Sequence, residues 1–283
     1  MRGPTTFPPV KLRRVVGGIG HTLIAAGVLI LLFVAYELWG TGIAEARSQH
    51  TLKQDFNQKV AGGVDRDLVP PPTPEGEAVA VIKIPRLGLE KAVVEGVGVD
   101  DLKKGPGHYP GTPLPGQPGN AAIAGHRTTY GAPFFRMDEL KPNDPIFVTT
   151  RQGKFRYEVS EVRAIKPTDI EVIKNTPDNR LTLTTCHPRF SASQRLITIA
   201  TLKGEAATPS PPAAPKTTSL SGKRVSKRPA VLWGLLAALC AAVTFTLSRV
   251  WRKWPAYFLG APVFLLVLFV FFENFARLLP ANI

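Results

Sequence analysis

The stretch that decides the fold runs from Leu181 to Ile199 and reads LTLTTCHPRFSASQRLITI. Two apolar runs rich in β-branched residues flank a short polar loop, a pattern typical of two strands joined by a hairpin. Cys186 ends the first run, and Arg195 begins the second run nine positions later. Because a hairpin brings the ends of its two strands together, the sulfur and the guanidinium are expected to lie close to each other.

Short runs of the same kind recur before this hairpin, within residues 76–204. Gly, Pro, Asn or Asp bound most of them, and the helical stretches between them are brief. The other predicted strands cover residues 79–84, 91–97, 121–125, 145–150 and 155–165. Many short strands with few helices favour a closed or nearly closed β-barrel around one hydrophobic core.

Three apolar runs outside this segment are long enough to cross a bilayer as helices. They cover residues 19–39, 231–248 and 256–272, and a short basic turn, RVWRKWP, separates the last two. Buried helices of a soluble protein are the alternative, which uninterrupted apolar runs of this length disfavour. The predicted fold class is therefore a mainly β barrel with short helices, one N-terminal transmembrane helix and two C-terminal ones.

Charge predicts the orientation of these helices. Arginines and lysines precede the first helix, so residues 1–18 are expected in the cytoplasm and residues 76–204 on the extracellular face of the cell membrane. The basic turn then returns to the inside, whereas the basic run KRVSKR at 223–228 falls outside and disagrees. Residues 44–46 (AEA) resemble a signal-peptidase site, but the apolar run exceeds a usual signal core, which favours an uncleaved anchor.

Two linkers flank the predicted barrel domain. Residues 40–75 form a polar stalk followed by a proline-rich stretch, and residues 205–230 are Pro/Ser-rich and basic. The formal charge of +14 is uneven: residues 76–204 contain 18 Lys or Arg against 13 Asp or Glu, a net of +5. Much of the remaining positive charge flanks the apolar runs, which indicates a membrane surface rather than nucleic acid as the partner.

The two cysteines of the chain have different surroundings. Cys240 lies in a predicted transmembrane helix as a small apolar residue, which leaves Cys186 unpaired in a domain predicted to be outside the cell, where disulfides normally form. A free thiol there is either buried or used in chemistry. As a nucleophile it needs a neighbouring base or cation, because a thiol is mostly protonated at neutral pH.

Three histidines and one arginine are candidates for that assistance. His126 follows a predicted strand and is the favoured base, whereas His187 adjoins Cys186 and is expected to point to the opposite face. His108, in a predicted turn, is expected to be structural. Arg195 either holds a substrate carbonyl or oxyanion, or is a surface arginine paired with a carboxylate.

Metal and cofactor chemistry is not indicated by the sequence. The adjacent Cys186 and His187 have poor geometry for binding one zinc ion, and no further ligand pair supports such a site. No phosphate-binding glycine loop or pair of catalytic carboxylates stands out. The sequence therefore predicts neither a metal nor a cofactor.

In chain order, GHYPGTPLPGQPGNAAIAGHR (107–127), TLTTC (182–186), Arg195 and the N-terminal anchor resemble a sortase, a membrane-anchored cysteine transpeptidase of Gram-positive bacteria. The resemblance covers residues 79–202. The forms GHRTTYGAPF and TTCHPRFSASQRL are most similar to class E sortases of actinobacteria. No Asp-Pro-aromatic lid precedes the domain, which disfavours a pilus-polymerising class, and the C-terminal hairpin departs from the pattern with one anchor.

This resemblance implies an eight-stranded β-barrel and a role for each site residue. Cys186 attacks the Thr–Gly bond of a C-terminal sorting signal on a secreted protein and forms a thioester. His126 moves the proton, and Arg195 stabilises the acyl carbonyl. An amine of the peptidoglycan precursor lipid II then accepts the protein, which becomes joined to the cell wall. Class E relatives favour Leu-Ala-x-Thr-Gly signals over Leu-Pro-x-Thr-Gly.

Substrate contacts are expected around these three residues. Thr185 and Tyr130 line the groove or serve as ordinary packing, and the loop 187–194, with His187 and Ser191, shapes the substrate preference. Two rival functions remain open. One is a hydrolytic cysteine peptidase on the same scaffold, and the other is a non-enzymatic module of the wall or membrane with a merely buried cysteine.

Overall fold

The computed structural model describes residues 10–211, Leu220, residues 226–250, residues 253–276 and Leu278 of the 283-residue chain. Parts of three predicted segments lie outside the described residues. These are residues 1–9 of the cytoplasmic tail, residues 212–219 and 221–225 of the linker with the start of its basic run, and residues 251–252 of the basic turn.

Eight strands form one closed barrel, in the spatial order β1-β2-β3-β4-β7-β8-β6-β5. The strands are β1 (Ala78–Ile84), β2 (Leu89–Glu95), β3 (Gly107–His108), β4 (Asn120–Ala124), β5 (Pro145–Thr150), β6 (Gly153–Ile165), β7 (Arg180–His187) and β8 (Gln194–Lys203). Neighbouring strands are antiparallel except for β2–β3 and β4–β7, which are parallel. The predicted eight-stranded barrel is confirmed.

Alternate residues of each strand point into the barrel and form its hydrophobic core. On β4 the core contains Ala121 and Ile123, and on β7 it contains Leu181 and Leu183. All four side chains are almost completely buried. The residues between these positions therefore lie on the outer face of the barrel, which is the face that concerns the site.

The strand absent from the sequence-based prediction is β3, which contains only Gly107 and His108. A two-residue strand has no periodicity to detect, and it forms because it fits between β2 and β4. The expected structural role of His108 is supported by its hydrogen bonds. Its Nδ1 lies 2.8 Å from Oε2 of Glu95, a partner that the sequence did not indicate, and its Nε2 lies 2.9 Å from the carbonyl of Pro113.

The N-terminal helix continues well beyond the predicted membrane span. It runs as α1 (Val10–Ala35), a π-helical turn (Tyr36–Gly40) and α2 (Thr41–Val60). The expected stalk is therefore a helix, and it is docked on the barrel. The Gln49 side chain pairs with both backbone polar groups of Ala92 on β2, at 2.7 and 3.0 Å.

The described helices include three that are long and apolar enough to cross a membrane, each with a mean hydropathy of 2.2 in its most apolar window. The first begins in α1, and the others are α4 (Arg228–Val250) and α5 (Lys253–Ala276), after the short helix α3 (Val99–Leu102). Aromatic rings join the first to the last: Phe33 lies 5.2 Å from Phe272, and Tyr36 lies 5.3 Å from Phe269, between ring centroids. The three predicted apolar helices are confirmed.

Candidate active site

The candidate site lies on the outer face of β4, β7 and β8. Parallel pairing sets Ala124 beside Thr184, and antiparallel pairing sets Cys186 directly opposite Arg195. Opposed residues of neighbouring strands share a face, and so do residues two apart along one strand. Cys186, Arg195 and Thr184 therefore share the outer face, and the alternation of β4, continued two residues past Ala124, predicts His126 on it as well.

His126 is held at the end of β4 by close packing. Its side chain is buried, and its ring centroid lies 5.1 Å from that of Tyr130. Its carbonyl accepts a hydrogen bond from the N–H of Phe134 at 3.1 Å. The preceding Gly125 permits this packing, because a Cβ there would lie 2.6 Å from the Phe134 ring.

The loop beside His126 has an unusual backbone. Tyr130, Gly131 and Ala132 all have positive φ values of 49°, 71° and 42°. A non-glycine residue in this region costs about 1–3 kcal/mol and persists only where its surroundings fix it. Helix α2 provides part of that support, since Oγ1 of Thr41 accepts a hydrogen bond from the N–H of Tyr130 at 3.1 Å. One wall of the site thus depends on the N-terminal helix.

The Cys186 thiol lies in a buried position with two cations nearby. Burial raises its pKa, and the charges of Arg195 and Arg127 counteract part of that increase. Because the pKa is raised on balance, the thiol form predominates at neutral pH. A reaction at this sulfur therefore needs an acceptor for its proton, which is the role predicted for His126.

Arg195 is a buried arginine, with a relative exposure of 1%. Its Nη1 donates to the carbonyls of Ala192 and Gln194 at 3.0 and 2.9 Å, and its Nε donates to the carbonyl of Leu220 at 3.3 Å. No Asp or Glu in the described part of the chain forms an ion pair with it. The alternative of a surface arginine paired with a carboxylate is wrong, and its positive charge remains available to an anion formed at Cys186.

A buried apolar cluster lies on the outer face of the barrel beside these residues. Ala122 and Ala124 of β4 pack with Leu102, Tyr109 and Ile173 in one buried cluster. Leu220 belongs to the same cluster, and the space that it fills among these side chains is called the groove.

One wall of the groove is pinned to the sheet by Asn120, the first residue of β4. Its Nδ2 donates to the carbonyls of Val172 and Lys174 at 2.8 and 2.9 Å, which holds the 3₁₀ turn Ile170–Ile173 against the outer face. Its Oδ1 accepts a hydrogen bond from the hydroxyl of Thr182 on β7 at 2.7 Å. The groove is thus preformed by buried polar contacts.

Leu220, from the segment that follows the barrel, occupies this groove. Its side chain is 1% exposed and belongs to the same apolar cluster. Its N–H donates to the carbonyl of Pro167 at 3.3 Å, and its carbonyl accepts the hydrogen bond from Arg195. A leucine therefore occupies the groove with its carbonyl on the guanidinium predicted to hold a substrate carbonyl.

Tyr130, Thr185 and Ser191 are the remaining residues that were predicted to contact substrate. Tyr130 lies beside His126, as described above. Thr185 is completely buried, and its hydroxyl donates to the carbonyl of Gly125 at 2.7 Å, which uses its one proton within the scaffold and favours the packing alternative. Ser191, in the loop after β7, lies 3.2 Å from the hydroxyl of Ser193.

Three residues that surround the site were not singled out from the sequence. Tyr109 lines the groove, and burial raises its pKa to about 12, so its hydroxyl stays protonated and bonds Oγ1 of Thr184 at 3.1 Å. Arg127 follows His126 directly, and its Nη1 lies 3.3 Å from Nδ1 of His187. The position of Arg127 next to His126 could have indicated a place in the site. The sequence around Leu220 contains no such indication.

Metal ligation is not a feature of the described residues, in which no group of three or more His, Cys, Asp and Glu side chains could hold an ion. Both ring nitrogens of His108 bond protein atoms, and Nδ1 of His187 faces Arg127.

Comparison with known proteins places this arrangement in one family. A family model described as a sortase domain matches residues 82–203. Sortase D of Bacillus subtilis is 30% identical over 179 residues, which are 59% of this chain and 86% of that protein. Sortase SrtE1 of Streptomyces coelicolor is 32% identical over 195 residues, which are 63% of this chain and 54% of SrtE1. The chain thus spans about half the length of SrtE1.

A solved structure of sortase E from Streptomyces avermitilis is 41% identical, covers 48% of this chain and 93% of that one, and has a TM-score of 0.43. The chain has a closed eight-stranded barrel with a buried free thiol on its outer face. The chain belongs to the sortase family, and the predicted similarity to class E sortases is confirmed.

The influence of Arg195 on the thiol can be tested directly. We expect Arg195→Gln to slow alkylation of Cys186 by iodoacetamide about tenfold at pH 7, because loss of an adjacent cation raises a pKa by about one unit or more. The measurement uses a Cys240→Ser background, so that Cys186 is the one reactive thiol. Arg180→Gln, at the opposite end of β7, is the control. Equal rates for both variants would contradict the assigned electrostatics.

Proposed function

We propose that this protein is a membrane-anchored cysteine transpeptidase that joins secreted proteins to the cell wall. It cleaves a C-terminal sorting signal between Thr and Gly and transfers the new carboxyl end to an amine of the peptidoglycan precursor lipid II. The observation that carries this proposal is the direct opposition of Cys186 and Arg195 on the outer barrel face, next to the strand that leads to His126.

Acylation begins with proton transfer from the Cys186 thiol to His126. The sulfur attacks the Thr carbonyl carbon, and negative charge develops on the carbonyl oxygen. Arg195 stabilises this oxyanion with a guanidinium that carries no described carboxylate partner. The C–N bond then breaks, His126 gives its proton to the leaving glycine amine, and the Thr carbonyl remains on the sulfur as a thioester.

Deacylation reverses these roles. The acceptor amine attacks the thioester carbon, and Arg195 again stabilises the oxyanion. The C–S bond breaks as the new amide forms, and the amine proton passes through His126 back to the thiol. A thioester keeps the acyl group activated, and the buried position of Cys186 limits the access of water, which favours the amine as acceptor.

The apolar lining of the groove supports an apolar residue in the signal, such as its leucine. Leu220 itself occupies the position of the residue whose carbonyl is held by Arg195, because its own carbonyl accepts the hydrogen bond from that guanidinium. A signal of the type Leu-Ala-x-Thr-Gly or Leu-Pro-x-Thr-Gly presents a leucine three residues before the scissile Thr carbonyl. An extended peptide covers that separation along the strand direction.

Membrane attachment is the second part of the proposal. We assign residues 1–18 to the cytoplasm, residues 76–204 to the extracellular face, and the three apolar helices to the membrane, on the basis of the positive residues that precede the first helix. The docking of α2 on the barrel supports a catalytic domain close to the membrane surface, where a lipid-linked acceptor is available.

A transpeptidation assay tests this function. We expect the purified full-length protein to cleave both signal peptides and, when a glycine-based amine is added, to convert the acid product into an amide. Cys186→Ala removes the nucleophile and should abolish cleavage, whereas Cys240→Ser should retain it. Cleavage with no amide at any amine concentration would indicate a hydrolytic peptidase, and cleavage by Cys186→Ala would contradict the mechanism.

Displacement of Leu220 gives a separate prediction. A signal peptide has to replace this leucine in the groove. We expect Leu220→Ser to change the open groove from a minor to the major population, and the apparent KM should then fall about three- to tenfold. Val64→Ser, an exposed residue of the other proline-rich linker, is the matched control. Initial rates at increasing peptide concentrations give the KM of both variants. An unchanged KM for Leu220→Ser would show that the leucine does not compete with the signal peptide.

A further inference from the structure

Strands β4 and β7 remain connected beyond their last paired residues. The N–H of Gly125 donates to the carbonyl of Thr184 at 3.0 Å, and the hydroxyl of Thr185 donates back to the carbonyl of Gly125 at 2.7 Å. The next link is Nη1 of Arg127, which donates to the carbonyl of Cys186 at 3.1 Å. Side chains thus continue the pairing up to the residues that bear the imidazole and the thiol.

Arg127 also reaches the two segments beyond these strand ends. Its Nε donates to the carbonyl of Phe135 at 3.3 Å, and its Nη2 lies 3.0 Å from a carboxylate oxygen of Asp138. Its Nη1 lies 3.3 Å from Nδ1 of His187. A guanidinium only donates hydrogen bonds, so this Nδ1 is the acceptor and the neutral ring carries its proton on Nε2.

The loop after β7 is tied into the same network. Oδ1 of Asp138 accepts a hydrogen bond from Nη2 of Arg189 at 3.0 Å, and the Arg189 guanidinium lies 4.4 Å from the centroid of the Phe135 ring. Arg127 is the buried member of this set, with 2% of its side chain exposed, whereas Asp138 and Arg189 lie at the surface. Its contacts therefore converge on one buried point between the two catalytic strand ends.

We propose that Arg127 is a positioning residue of the transpeptidase, which fixes the distance between the His126 imidazole and the Cys186 thiol and adds a second positive charge beside the sulfur. The inference rests on the proposed function, because it assigns Arg127 to the reaction of that same site. Two elements converge on it independently: its own backbone follows His126, and its guanidinium holds the carbonyl of Cys186.

Geometry and charge can be separated by two substitutions. Arg127→Lys keeps the positive charge but loses the planar fork that reaches several carbonyls at once. Arg127→Gln removes the charge as well. Arg136→Gln, in the same segment, removes an exposed arginine that pairs with Glu139 at the surface and is the matched control.

The test measures signal-peptide turnover and the pH dependence of Cys186 alkylation, with full-length protein in the Cys240→Ser background. We expect kcat to fall about 100-fold in both Arg127 variants, since a displacement of about 1 Å costs that much. The alkylation midpoint should rise by about one pH unit in Arg127→Gln, as expected for loss of a neighbouring cation, and stay near its original value in Arg127→Lys. Arg136→Gln should leave both readouts unchanged.

Two outcomes would overturn the inference. One is an unchanged alkylation midpoint in Arg127→Gln, and the other is a loss of kcat that merely parallels a loss of folded protein in circular dichroism. The alkylation experiment needs no substrate. If the unmodified protein does not cleave the peptide, the proposed function fails, and the alkylation midpoints alone decide whether Arg127 acts on the thiol.

Discussion

The register of the β7–β8 hairpin is the constraint on which the site depends. It sets Cys186 directly opposite Arg195, so that the thiol and the guanidinium share the outer face of the barrel. A slip of one residue would turn Cys186 into the core and bring a neighbour into its place. Leucines of β7 and β8 that fill the barrel interior fix this register, so core packing and site geometry have one origin.

The site combines burial of the thiol with the positive charges of two arginines. Burial disfavours the thiolate of Cys186, and the charges of Arg195 and Arg127 favour it. Arg127 is balanced by Asp138, whereas Arg195 bonds only neutral carbonyls among its hydrogen-bond partners in the described chain. Within the described chain, no carboxylate neutralises the charge of Arg195, and this charge therefore favours negative charge on the sulfur. The arrangement suits a thiol that ionises as it attacks rather than a permanent thiolate.

The sequence allowed prediction of the features that depend on local pattern. Alternating β-branched runs predicted the barrel, uninterrupted apolar runs predicted three helices, and the hairpin predicted the proximity of Cys186 and Arg195. Features that depend on distant contacts were missed or misjudged. The two-residue strand β3 is recognised only by its pairing with neighbouring strands. The sequence of α2 predicts a stalk, but it does not indicate the contact between Gln49 and Ala92 that docks this helix on the barrel. The occupation of the groove by Leu220 also has no local signal.

The proposed function requires a sulfur, an imidazole and a guanidinium to converge on one peptide carbonyl. Intact-protein mass spectrometry after brief incubation with a Leu-Ala-x-Thr-Gly peptide, without an amine acceptor, tests it most directly. The account predicts a mass increase equal to the acyl part up to Thr, located on Cys186, released by hydroxylamine and absent from folded His126→Ala. Peptide cleavage without any adduct on Cys186, or an equal adduct in His126→Ala, would contradict it.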